Sequence, residues 1–270
     1  MKRKIEHRTN GEKHGFINRV ISPSGLGEIT KPFVFLDYIN TPPMTGAGFG
    51  WHPHSGIATF TYHIEGGSHI EESTGNKVAF GPRDAEYLQA GSGAWHAGGP
   101  VDGSPIKGFQ LWISLPPELE EEDSKSIFLK KGEFEKNENV TLLLGAYEGL
   151  QSKITPPNDM NYLEVTIAKD AKWTYTPPKS HDVLWVMVFK GKLNDIDAED
   201  GELIVFESGS NPMEFTTNSG VSFILGSAKK FEHQLVLGRS SVHTSEQSLE
   251  KSMVKIEAIY KELLLKKIIE

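Results

Sequence analysis

Three histidines carry the clearest chemistry in this sequence: His52 and His54, separated by Pro53, and His96 at the end of Gly91-Ser92-Gly93-Ala94-Trp95-His96. In an extended segment, side chains at i and i+2 project to the same side. Their Cα atoms lie about 6.5–7 Å apart, so both rings of a His-Pro-His triplet can reach one metal ion. A third imidazole, returning after two or three short strands, would close one face of the coordination sphere. The alternation after the pair puts His54, Gly56, Ala58, Phe60, Tyr62 and Ile64 on one parity, and Ser55, Thr59, Thr61 and His63 on the other. The first set reads as an inward, mostly apolar face that carries the pair into a pocket, and the second as a wetter face, with Ile57 the exception. His63 is therefore expected outside the pocket.

The other histidines read as bystanders. His7 and His14 lie in a polar N-terminal stretch and are expected to be solvated. His69 sits in a turn region before Glu71 and Glu72, His181 reads as structural, and His233 and His243 flank the last strand region. His243 is expected to hydrogen-bond where a C-terminal helix begins. The sequence contains no cysteine, which excludes disulfides and thiolate ligands. It has no phosphate-binding glycine loop, dinucleotide fingerprint or nucleophilic Ser motif, so no organic cofactor is expected and no catalytic side chain is assigned. A net charge of −8 argues against direct nucleic acid binding. Met1–Asn10 is charged without an apolar core, and the longest apolar run, Val183 to Phe189, suits a buried strand. These features read as a cytoplasmic protein without a membrane span.

These residues must be positioned by short strands. Pro32–Tyr38, Ile57–Ile64, Gly108–Ser114, Thr141–Leu144, Leu163–Ile167, Val183–Phe189, Leu203–Phe206 and Val221–Leu225 are separated by turn signals such as Gly66-Gly67 and Gly81-Pro82-Arg83-Asp84. Strands at this spacing without intervening helices predict an all-β protein of antiparallel sheets closed into sandwiches or barrels. The acidic stretch Pro116–Asp123 reads as a linker, either a solvated loop or a short helix. Thr244-Ser245-Glu246-Gln247 offers a capping box. After it, Leu249, Met253, Ile256, Tyr260, Leu263 and Leu264 recur at helical spacing, predicting a helix packed on the body of the protein.

An internal duplication is visible at low resolution. A shift of 125 residues lays Trp51–Gly66 on Thr176–Gly191, matching Pro53 with Pro178, Ser55 with Ser180, Phe60 with Trp185 and Gly66 with Gly191. A similar overlay of Ser92-Gly93 on Ser219-Gly220 puts Phe223 opposite His96. The second half then has no metal ligands.

The stretches Pro32-Phe33-Val34-Phe35-Leu36-Asp37-Tyr38, His52-Pro53-His54-Ser55-Gly56-Ile57, Ala90-Gly91-Ser92-Gly93-Ala94-Trp95-His96, Gly108-Phe109-Gln110-Leu111-Trp112-Ile113 and Ser241-Val242-His243-Thr244-Ser245 resemble the pirin family. The resemblance implies two tandem cupin (jelly-roll type) β-barrels with a C-terminal α-helix. Residues 1–120 would form the barrel with the metal site, and residues 121–270 a degenerate second barrel plus the helix. It also implies a metal held by His52, His54 and His96: Fe(II) first, with Ni, Cu, Zn or Mn as alternatives. Quercetin 2,3-dioxygenase activity on a small aromatic substrate is one implied function. A non-catalytic regulatory role with a protein partner is the other. The chain departs from the family at Ser55, where Arg is usual, and at Ala58 and Gly98, where the family carries carboxylates. Gly98 stands at the fourth-ligand position, which implies weak metal binding, and Gly98→Glu is expected to tighten it. The aromatics Trp51, Phe60, Tyr62, Trp95, Phe109 and Trp112 are expected mostly as barrel core. Some would wall an aromatic site that Gly98 and Ala58 enlarge.

Overall fold

The strand Ile57–Glu65 organises the molecule because both of its faces are buried. Ala58, Phe60, Tyr62 and Ile64 pack into a core shared with Tyr162, Trp185, Met187 and Phe189 from the second half of the chain. Thr59, Thr61 and His63 turn the other way, into the first barrel. The strand Val183–Leu193 repeats the arrangement: Trp185, Met187 and Phe189 enter the shared core, while Leu184, Val186 and Val188 fill the interior of the second barrel. Burying both faces removes the polar alternation of a half-exposed strand.

The computed structural model describes residues 3–43, 48–101 and 103–269. It is an all-β pair of cupin barrels with a C-terminal helix. In the first barrel, a seven-stranded antiparallel sheet runs Lys125–Leu129, Ala85–Gln89, Ile57–Glu65, Lys107–Ser114, Phe33–Asn40, Ile17–Ile21 and Glu12–His14. A four-stranded sheet, Phe49–His54, Ala94–Pro100, Ser68–Glu72 and Lys77–Phe80, completes it. The second barrel is centred on Val183–Leu193 between Leu203–Phe206 and Val221–Ala228. Its main sheet runs Ile5–Thr9, Leu203–Phe206, Val183–Leu193, Val221–Ala228, Met160–Ile167 and Val140–Leu144, with Ala198–Glu199 also paired to Val183–Leu193, and a two-stranded sheet pairs Ala171–Tyr175 with Met213–Thr217.

All eight strands expected from sequence are present, most of them extended by a few residues. The duplication holds in its first register. Phe60 and Trp185 both enter the shared core. Gly66 and Gly191 both take left-handed φ values, +75° and +79°. An added Cβ at either would collide with a carbonyl, that of Pro105 or of Gly220. The second overlay does not hold. Val221–Ala228 pairs with Val183–Leu193, as Lys107–Ser114 pairs with Ile57–Glu65, so Phe223 does not take the place of His96.

The two halves exchange their ends across the proposed division at residue 120. Ile5–Thr9 adds to the second barrel by pairing with Leu203–Phe206. The helix Glu246–Leu265 packs on Ala94–Pro100 of the first barrel, where Trp95 Nε1–H donates to the Ile256 carbonyl at 3.0 Å and its ring meets Tyr260 at 5.2 Å. The N-cap of that helix is Ser245, which accepts from Ser248 N–H, one residue later than the predicted box. Met253 and Leu264 of the predicted apolar stripe are exposed. The linker forms the short helix Pro117–Glu120, and Glu120 is buried, accepting from both the backbone N–H and the hydroxyl of Thr244.

Candidate metal centre

Antiparallel pairing of Ala94–Pro100 with Phe49–His54 sets His96 directly opposite His52, with His54 next on the same side. Within this one small sheet, the three imidazoles offer nitrogen atoms that all lie within 4.8 Å of one another. Ring centroids are 4.5 Å apart for His52 and His96, 4.9 Å for His52 and His54, and 5.0 Å for His54 and His96.

The outer nitrogens fix which atoms face inward. His52 Nδ1–H donates to the Gly50 carbonyl at 2.7 Å, and His54 Nδ1–H donates to the Ser240 carbonyl at 2.9 Å. In a neutral imidazole whose Nδ1 carries the proton, Nε2 presents a lone pair. His54 Nε2 is sealed from solvent without a hydrogen-bond partner, and His52 Nε2 lies 3.0 Å from His96 Nε2. Burial, and then the neighbouring His96, lower the pKa of both His52 and His54, so both favour the neutral form. Nitrogens that converge in this way, two of them on rings whose burial favours the neutral form with its lone pair at Nε2, suit a divalent ion with nitrogen affinity, such as Fe(II), Ni(II), Cu(II) or Zn(II). These residues fit such an ion.

A cavity of about 300 Å³ opens beside His52 and His96. Phe16, Ile39, Phe49, Ile70, Phe80 and Ile106 supply most of its apolar wall, with Thr61, His63, Ser68 and Gln110 adding polar groups. Its size and mixed lining match those of small-molecule sites.

Several expectations are corrected here. His63 lines the cavity instead of lying outside it. The parity argument fails because Phe49–His54 and Ile57–Glu65 belong to different sheets, and Gly56, at φ +68°, turns the chain between them. His14 is exposed, as expected, and lies at the cavity rim. Ala58 faces the shared core, so it does not enlarge the cavity, whereas Gly98 does line it. Phe60, Tyr62 and Phe109 are core. Trp112 stacks on Phe35 and meets His54 edge-on at 5.0 Å. None of the six aromatics singled out from sequence is part of the cavity wall. His181 is structural, held between Ser227 and Asp159, and His243 bridges Ser55 and Ser248 beside the start of the helix.

Sequence reading also missed Glu86. It is fully buried on Ala85–Gln89, receives a hydrogen bond from Thr61 at 3.0 Å, and its Oε1 lies 3.8 Å from His96 Nδ1. The available signal was its pairing partner: Thr61 falls on the wetter parity of its strand, and Glu86 pairs with it across the sheet.

Gly98 is sterically constrained. A Cβ there would sit 2.8 Å from the backbone carbonyl of His69 and 3.2 Å from Ile70 Cγ1. Because the nearest atom is backbone, a side chain requires the strands to shift. Gly98→Ala is expected to cost about 1–3 kcal/mol, the usual range for overpacking. Calorimetry would read this as a fall of several degrees in the unfolding midpoint.

Residues 17–113 match the family model described as Pirin. The chain is 31% identical over 173 residues to Pirin of Homo sapiens, covering 62% of this chain and 60% of the human protein. It is 28% identical over 206 residues to a Pseudomonas aeruginosa protein whose name provisionally assigns it as a quercetin 2,3-dioxygenase, covering 69% of this chain and 66% of that one. A crystal structure named as quercetin 2,3-dioxygenase from Acinetobacter baumannii superposes with a TM-score of 0.85 at 18% identity, over 94% of this chain and 96% of that one.

Proposed function

This chain belongs to the pirin family of cupins, and from that premise we propose that His52, His54 and His96 hold one divalent metal ion, Fe(II) in the first instance, in a dioxygenase for flavonol-type aromatics. One observation carries the reading: three imidazole nitrogens converge at the wall of a largely apolar cavity, and two of the rings have their outer nitrogens tied to carbonyls. The ion, when bound, supplies open positions at which an aromatic hydroxyl and O₂ can be brought together. The chain's own residues do the rest. Apolar side chains exclude water from a planar ligand, while Thr61, His63, Ser68 and Gln110 offer it hydrogen bonds.

Position 98 offers no carboxylate to accept the hydroxyl proton, and Gly98→Glu would force its Cβ against His69. That substitution is therefore not expected to tighten metal binding. The proton of a neutral flavonol must leave by another route, so turnover is expected to rise with pH through the substrate's own ionisation. The test is an oxygen-electrode assay with quercetin, using protein loaded anaerobically with Fe(II) and desalted. Consumption of one O₂ per flavonol opened, dependent on metal, supports the reading. Metal-loaded protein that consumes no O₂ between pH 6 and 9 defeats it.

The missing carboxylate at position 98 favours a second reading, in which the protein binds metal and an aromatic ligand without turnover and acts through a protein partner. The helix Glu246–Leu265 would offer such a partner the exposed Met253, Val254 and Leu265. Quenching of tryptophan fluorescence by quercetin without O₂ uptake would select this reading. Among the described residues, no helix is long and apolar enough to cross a membrane.

A further inference from the structure

We propose that Glu86 is the positioning carboxylate of the metal site, holding His96 by its Nδ1–H so that Nε2 faces the ion. The inference rests on the reading of His52, His54 and His96 as ligands. Among these three histidines, His96 lacks a carbonyl partner at its outer nitrogen: its Nδ1 is buried without a hydrogen bond. A carboxylate oxygen, Glu86 Oε1, lies 3.8 Å away and is also buried and unpartnered. A hydrogen bond between them would satisfy both atoms. Leaving both unmet would cost free energy on each side, since a buried donor and a buried charge both need partners.

Geometry excludes the alternative of Glu86 as a direct ligand. Its carboxylate approaches the Nδ1 edge of His96, whereas His96 Nε2, across the ring, is the atom 3.0 Å from His52 Nε2. The imidazole therefore stands between Glu86 and the converging nitrogens. Thr61 Oγ1–H fixes the other carboxylate oxygen at 3.0 Å, which aims Oε1 at the histidine. The strand register supports this aim, since Thr61 pairs with Glu86 across the sheet.

The consequence is electrostatic as well as steric. A carboxylate behind a ligating histidine makes the ring a better donor and fixes its tautomer, an arrangement recurrent at metal sites. His52 and His54 lean on neutral carbonyls, so Glu86 supplies the negative charge that Gly98 and Ala58 do not. The charge sits one imidazole away from the ion and leaves the cavity side of the site open.

The test compares wild type, Glu86→Gln and Thr61→Val by anaerobic competition of Fe(II) and Co(II) against a chelator, with the visible spectrum of the Co(II) form as a second readout. Glu86→Gln is expected to weaken metal binding by roughly 10- to 100-fold and to shift the Co(II) bands. Thr61→Val, which frees one carboxylate oxygen, should weaken it less. Wild-type affinity and an unchanged Co(II) spectrum in folded Glu86→Gln overturn the proposal. If that variant does not fold, unchanged affinity in Thr61→Val overturns it. Wild-type protein that takes up neither ion defeats the metal-site reading itself, and this inference with it.

Discussion

Alanine at His52, His54 and His96 together is expected to remove metal binding altogether while the protein stays folded. The ion would be held by these three side chains and by no carboxylate at position 98, so no remaining ligand could retain it. The fold does not depend on it, because the shared core and the second barrel's interior are continuous apolar clusters away from the imidazoles. Replacing His54 alone should already lower affinity by at least about a hundredfold, roughly 2.7 kcal/mol. That ring is the most deeply sealed of the three, and its Nε2 has no other partner. Two measurements check this: metal analysis of anaerobically loaded, desalted protein, and the rise in unfolding midpoint on adding metal. Wild type should gain stability as the logarithm of metal concentration over Kd. The triple variant should gain none. A triple variant that still carries stoichiometric metal would place the ion elsewhere.

Much of this architecture was legible because strand signals survive burial. Val183–Phe189 and Leu203–Phe206 are apolar runs bounded by turns, and both are strands. Ile5–Thr9, Lys125–Leu129 and Ala85–Gln89 were missed for opposite reasons. Ile5–Thr9 is a mostly exposed edge strand with no apolar face to read, and Lys125–Leu129 is an edge strand whose Ile127, Phe128 and Leu129 run consecutively instead of alternating with polar residues. Ala85–Gln89 is buried on both faces, with Glu86 and Gln89 interrupting its apolar pattern.

The ligand set was legible because a His-Pro-His triplet in extended backbone leaves few geometries. The surroundings of the set were not. Alternation tells which residues share a face, but it does not say whether the apolar face meets a ligand cavity or another barrel. Here the second barrel takes Phe60 and Tyr62, leaving Thr61 and His63 for the cavity. Similarly, nothing local to His54 announces that its outer nitrogen is held by Ser240, 186 residues away. That contact exists because the C-terminal segment runs back to the first barrel, where Ser55 and Ser241 form a parallel bridge. Ser55 stands where the family usually carries Arg, and in this chain its hydroxyl reaches Ser241 and His243.

The metal-free protein is expected to lose stability steeply as pH falls from about 6.5 to about 4, and His63 is the residue with the clearest share in that loss. Its side chain is only 2% exposed, its Nδ1 is sealed without a partner, and burial pushes its pKa down from 6.5 to about 4, against a smaller opposing pull from Asp84. In the unfolded chain the ring takes up a proton near its ordinary value, whereas the folded protein resists protonation down to about 4. Over that interval the unfolded state binds more protons, so each drop in pH favours unfolding. The stabilisation is complete above 6.5, declines through the interval, and is spent below the folded value. At 1.36 kcal/mol per pKa unit, the shift corresponds to roughly 3 kcal/mol. His52 and His54, also held neutral by burial, act in the same direction. Urea titrations of chelator-treated protein at several pH values would measure the loss as a falling midpoint. His63→Leu keeps a side chain of comparable reach against Phe80 and has no proton to gain, so its midpoint should fall less over the same range. A wild-type midpoint that stays level from pH 7 to pH 4 would mean that the ring is protonated in the fold, and that the polar wall of the cavity carries a positive charge at His63.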